Sequence, residues 1–81
     1  MTASTKATVI GIDIGGTNLR FALVDGNGTI LKRERRPTEI ERGRESLMQH
    51  IATGIAELRR EAASLGSQVR AVAAGVPGLI G

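Results

Sequence analysis

The chain alternates, breaks and alternates again close to its start, and this feature constrains the fold most. From Thr8 to Ile14, the side chains of Ile10, Ile12 and Ile14 fall on one face, and Val9, Gly11 and Asp13 on the other. A β-branched run with period two reads as a strand with one apolar face. It is broken by Gly15-Gly16-Thr17-Asn18, and a second alternating run follows. There Leu19, Phe21 and Leu23 oppose Arg20, Ala22 and Val24. Two such strands with a short Gly-rich connection predict a β-hairpin.

A second turn is expected at Asp25-Gly26-Asn27-Gly28, because Asn and Gly tolerate positive φ. A third strand, Thr29 to about Arg36, completes an antiparallel meander and ends at Pro37. The polar segment Thr38 to Gly43 connects strand to helix. From about Arg44 to Leu65, the apolar positions Leu47, Met48, Ile51, Ile55, Leu58, Ala62 and Leu65 recur at steps of three and four. That spacing is helical, and Gly66 is placed to cap the C-terminus. Gly54 within the helix costs about 1 kcal/mol against Ala and would permit close approach to the sheet. Val69 to Gly75, small and β-branched, reads as a buried strand, parallel to an earlier one through the usual crossover. The order β-β-β-α-β resembles the first half of a ribonuclease-H-like lobe, an α/β fold with a mixed sheet. A fourth strand of this kind expects further cover, so residues 1–81 read as a single incomplete N-terminal lobe, truncated after that strand.

Composition removes several functions. Absence of cysteine excludes a disulfide framework, a thiolate zinc site and a cysteine nucleophile, and the single histidine, His50, cannot form a multi-imidazole site. No apolar stretch approaches the ~20 residues of a membrane span, and the polar N-terminus has no signal core. A cytoplasmic protein without membrane attachment is expected. The net charge of +3 is mild, and Phe21 is the sole aromatic residue, so no stacking platform for nucleic acid is present.

The chemistry concentrates at Gly11-Ile12-Asp13-Ile14-Gly15-Gly16-Thr17-Asn18. Two glycines at a sharp strand-to-strand turn let backbone N–H groups converge, a concavity suited to phosphate oxygens. Thr17 adds a hydroxyl and Asn18 an amide. A carboxylate beside a phosphate cradle is repulsive unless a cation lies between, so Asp13 implies Mg²⁺, held through water. Rival motifs fail. A P-loop requires a lysine where Gly16 is followed by Thr17, and the dinucleotide fingerprint G-x-G-x-x-G is absent. A plain tight hairpin with a solvated Asp13 is the bland alternative. Asp13 before the glycines and Thr17 directly after them favour phosphate binding.

The run Ile12 to Arg20 resembles the phosphate-1 loop of the sugar kinase/Hsp70/actin superfamily. Its Asp-x-Gly-Gly-Thr form is similar to that of the ROK branch (repressors, open reading frames and kinases). Ala74-Gly75-Val76-Pro77-Gly78 resembles the ROK motif after the fourth strand, and the separation of the two motifs also matches. The resemblance covers nearly all the chain from Thr8 onward. It implies an actin-like ATPase half-lobe and a parent that is an ATP-dependent hexose kinase, a transferase of carbohydrate metabolism.

On that resemblance, Asp13, Gly15, Gly16, Thr17 and Asn18 serve the ATP phosphates and Mg²⁺. Gly75, Pro77 and Gly78 border the sugar, Gly78 through its backbone. The family's catalytic Asp, its zinc-binding His/Cys cluster and its adenosine site are not found in these 81 residues. The chain alone is therefore expected to be inactive, with no catalytic residue of its own and zinc expected only in the missing part of the parent. Glucose is the commonest substrate of the relatives, beside N-acetylmannosamine, fructose and allose, and no residue here separates them. Two further readings stand beside the kinase: a non-catalytic nucleotide- or protein-binding module, and a sugar-responsive ROK regulator lacking its DNA-binding domain. The seven residues before the first strand are too few for such a domain, which favours the kinase. Exposed apolar strand and helix surfaces predict a homo-oligomer.

Elsewhere the bland readings prevail. Lys32-Arg33-Glu34-Arg35-Arg36 reads as protection of an edge strand rather than a nucleic-acid contact. His50 reads as a boundary residue beside the apolar stripe, and Arg59-Arg60-Glu61 as solvated surface. Arg20 either approaches a phosphate or covers the sheet with its stem.

Overall fold

A computed structural model describes residues 6–75. In order, its elements are β1 (Lys6–Ile14), β2 (Asn18–Asp25), β3 (Ile30–Pro37), a short 3₁₀ turn (Ile40–Arg42), α1 (Arg44–Ser64) and β4 (Ser67–Gly75). The four strands form one sheet in the order β3-β2-β1-β4. β1 and β2 pair antiparallel, as do β2 and β3, whereas β1 and β4 run parallel. The expected β-β-β-α-β mixed sheet is therefore present.

The alternation in β1 and β2 has its predicted consequence. Ile10, Ile12, Leu19, Phe21 and Leu23 share the face that meets α1, where Leu58 and Ala62 complete the buried cluster. Leu47, Ile51 and Ile55 pack at its border from the helix, and Ile14 and Val69 from the sheet. Gly66 ends the helix with φ +73, a conformation that costs a residue with a Cβ more than it costs glycine. At the β2–β3 turn, the Asp25 carboxylate accepts hydrogen bonds from the N–H groups of Asn27 and Thr29, both at 2.9 Å. Gly28 supplies the positive φ that this turn needs.

Two details depart from the sequence reading. The link between β3 and α1 is structured, with Glu39 in the left-handed region at φ 52° and the 3₁₀ turn directly after it. β4 is not a buried strand: Ala71 to Gly75 are exposed, and Val72 retains 40% of its surface. A single helix covers one face of the sheet, and β4 lies at its margin with one neighbour, so small apolar residues there find no second layer among the described residues. The basic run does lie on an edge strand, β3.

Candidate functional site

The parallel pairing of β1 with β4 sets Asp13 directly beside Gly75. Two motifs some sixty residues apart thus meet at the carboxyl ends of neighbouring parallel strands. In open α/β sheets that is where ligand crevices form. Pro77 and Gly78 lie outside the described residues.

The loop between β1 and β2 consists of Gly15, Gly16 and Thr17. Its first amide is already used, since the Gly15 N–H donates to the Asn18 carbonyl at 3.0 Å. The same closeness explains the glycine: a Cβ at Gly15 would stand 3.0 Å from that carbonyl oxygen, tighter than ordinary contact. A Cβ at Gly16 would meet nothing, and Gly16 and Thr17 are exposed. Among the described residues, the N–H groups of Gly16 and Thr17 have no acceptor within the protein. Donors held open at a turn are what an anion cradle requires. Gly15 shapes the loop, and the Gly16 and Thr17 N–H groups are left open.

Asp13 is half-buried and points to the sheet face opposite α1. It lies directly across from Arg20, which in turn lies across from Arg35 on β3. Among the described residues no ion pair closes on Asp13. A half-buried carboxylate without a cationic partner at the mouth of a donor-lined loop has the chemistry to hold a hydrated Mg²⁺. The same face carries an open trough of about 750 Å³, floored by Gly11, Ala22 and Ala73 and rimmed by Asp13, Arg20 and Arg35. Arg20 thus lies across from Asp13 and lines the trough. Both readings of its role keep their footing.

Sequence reasoning missed Thr38. It is 1% exposed, its hydroxyl donates to the Gly15 carbonyl at 2.9 Å, and its N–H donates to the Thr17 carbonyl at 2.9 Å. The hairpin register held the signal: with Asn18 opposite Pro37, the next residues outward, Thr17 and Thr38, must face one another. His50 sits at the boundary, as expected, but it is engaged. Arg36 Nε donates to its Nδ1 at 3.4 Å, so its Nε2 carries the hydrogen given to Glu39 Oε1 at 2.8 Å.

On the helix side of β3, Glu34 lies beside Glu57. Burial pushes the Glu34 carboxyl above its usual range, a hydrogen bond with Glu57 and the Glu57 charge add to this, and Lys32 and Arg36 oppose it. These charges belong to the packing of α1 on the edge strand rather than to the loop.

A three-stranded meander, a crossover helix and a parallel strand, with a Gly-Gly-Thr turn at the end of β1, define the half-lobe of an actin-like ATPase. Residues 9–81 match the ROK family, and the chain belongs to it. The chain is 39% identical over 75 residues to a glucokinase of Thermotoga maritima, an alignment that takes in 93% of this chain and 22% of the glucokinase. The chain thus spans about a fifth of the length of that curated relative. No described helix is long and apolar enough to cross a membrane.

Proposed function

We propose that residues 1–81 are a single incomplete N-terminal lobe of an ATP-dependent hexose kinase, carrying its phosphate loop and one edge of its sugar site. The observation that carries this reading is the meeting of Asp13 and Gly75 beside a turn whose Gly16 and Thr17 donors are open. The similarity to a glucokinase supports glucose as the acceptor.

In this reading Mg²⁺, when bound, neutralises the phosphates and lets them approach a carboxylate. Asp13 orients water on the metal, the Gly16 and Thr17 N–H groups hold phosphate oxygens, and the Thr17 hydroxyl and Asn18 amide add further donors. Gly75, Pro77 and Gly78 border the sugar. No residue of the loop or of the Gly75 segment deprotonates the sugar hydroxyl in this reading, so the chain alone binds without turning over. The parent works in the cytoplasm as a homo-oligomer, and its zinc site lies outside these residues.

Titration of the ¹⁵N-labelled chain with ATP, with and without Mg²⁺, tests the phosphate site. Shifts at Gly16 and Thr17 that require Mg²⁺ support it, and shifts confined to other residues overturn it. The kinase assignment is tested by grafting the matched residues into the Thermotoga maritima glucokinase in place of its own. A folded graft that phosphorylates glucose upholds the assignment, and a folded but inert graft counts against it.

A further inference from the structure

We propose that Thr38 is the positioning residue of the phosphate loop, and that it orients the loop's Gly16 donor by capturing the Gly15 carbonyl. Thr38 comes from the far end of β3, yet it grips the β1–β2 turn on both sides of Gly16. Its hydroxyl binds the Gly15 carbonyl and its N–H binds the Thr17 carbonyl, each at 2.9 Å. Peptide units are planar and trans, so a carbonyl directed at Thr38 turns the next N–H the opposite way. Capture of the Gly15 carbonyl therefore points the Gly16 N–H away from Thr38 and out of the loop. A free carbonyl at that position could swing outward and present negative charge to an anion. The hydroxyl bond prevents that swing.

The grip is itself anchored. Pro37 pairs with Asn18 in the sheet, and Glu39, held in the left-handed region, is fastened to α1 through His50 at 2.8 Å. Thr38 thus has its neighbour on one side in the sheet and its neighbour on the other tied to the helix. At 1% exposure its hydroxyl has no water to compete for the bond. Valine has the same outline without the donor, so Thr38→Val leaves the Gly15 carbonyl unpaired while keeping the N–H bond to Thr17.

The inference rests on the phosphate-binding reading for its purpose but not for its geometry, and one experiment separates the two. The wild-type chain, Thr38→Val and Thr38→Ser are titrated with Mg²⁺ and inorganic tripolyphosphate, and amide exchange at Gly16 and Thr17 is followed alongside global melting. Thr38→Ser is expected to match wild type, and Thr38→Val to bind roughly tenfold more weakly, the loss expected if only about a tenth of the folded variant keeps the Gly16 N–H turned outward. Its Gly16 amide exchange is expected to depart from that of Thr38→Ser after correction for global stability, because the Gly16 N–H shares its peptide unit with the Gly15 carbonyl. A purely structural role would lower melting and leave the affinity of the folded protein unchanged. Equal affinities for Thr38→Val and wild type overturn the inference. If wild type itself does not bind tripolyphosphate, the phosphate reading fails, and the Gly16 amide alone decides the geometry: unaltered exchange there in Thr38→Val overturns it. Should Thr38→Val not fold, Thr38→Cys, with its weak thiol donor, takes its place with the same expectations.

Discussion

The tip of the Phe21 ring rests on the backbone of Gly54: a methyl group at Gly54 would stand within 2.8 Å of ring carbons Cζ, Cε1 and Cε2. The one aromatic side chain of the protein therefore fits under α1 only because the helix carries no side chain there. Gly54→Ala gains about 1 kcal/mol of helix propensity but meets an overpacking penalty of about 1–3 kcal/mol. A net loss of stability is expected in denaturant unfolding. The double variant Gly54→Ala/Phe21→Leu is expected to be more stable than the sum of its single effects, since the two sites touch.

Asp13 makes no ion pair among the described residues, so its carboxylate is expected to matter for binding and little for folding. Asp13→Asn should change stability by no more than about 0.5 kcal/mol. The Mg²⁺ dependence of ATP binding should disappear. Calorimetric titration at two Mg²⁺ concentrations reads this directly, and an unchanged Mg²⁺ dependence would exclude Asp13 from the metal site.

The raised carboxyl of Glu34 sets the sign of a pH effect. A carboxyl with a folded-state pKa above its usual value of 4.5 binds more protons in the folded chain than in the unfolded one. Stability therefore falls as pH rises from about 4.5 through the raised value. Glu34→Gln removes this contribution, so its stability relative to wild type should grow as the pH is raised over that range. Thermal melts of both proteins across the acidic range check it. A constant difference between them would show that neither burial nor Glu57 raises the Glu34 carboxyl in the folded chain.

Asp25 closes the β2–β3 turn by accepting from two backbone N–H groups. Asp25→Ala should lower stability by about 1 kcal/mol, the size expected for exposed turn hydrogen bonds. Amide exchange at Asn27 and Thr29 should accelerate more than exchange in β1. Equal acceleration throughout would mean that the turn is not held locally.

Strand and helix positions were legible in the residues because their two periods, alternation in Ile10 to Leu23 and steps of three and four in Leu47 to Ala62, report directly on one buried face. The Gly15-Gly16 turn was legible as a tight strand-to-strand turn, but which of its amides stay open was not. That Gly15 spends its amide on Asn18 is a fact of turn geometry. Thr38 was hidden for a similar reason: its role depends on strand register, and a lone threonine after a proline has no local pattern. The exposure of Ala71 to Gly75 escaped because small apolar residues look alike whether or not a second layer covers them.

The sheet also dictates an order of assembly. β1, β2 and β3 pair with sequence neighbours, whereas Thr8 reaches Gln68 across a separation of 60 residues. Closing that span carries the largest chain-entropy cost, so the meander is expected to form early and β4 to zip last. Gly75 belongs to that last strand and Asp13 to the first. The pocket between them therefore does not exist until folding is finished, and its appearance serves as a natural clock for the final step.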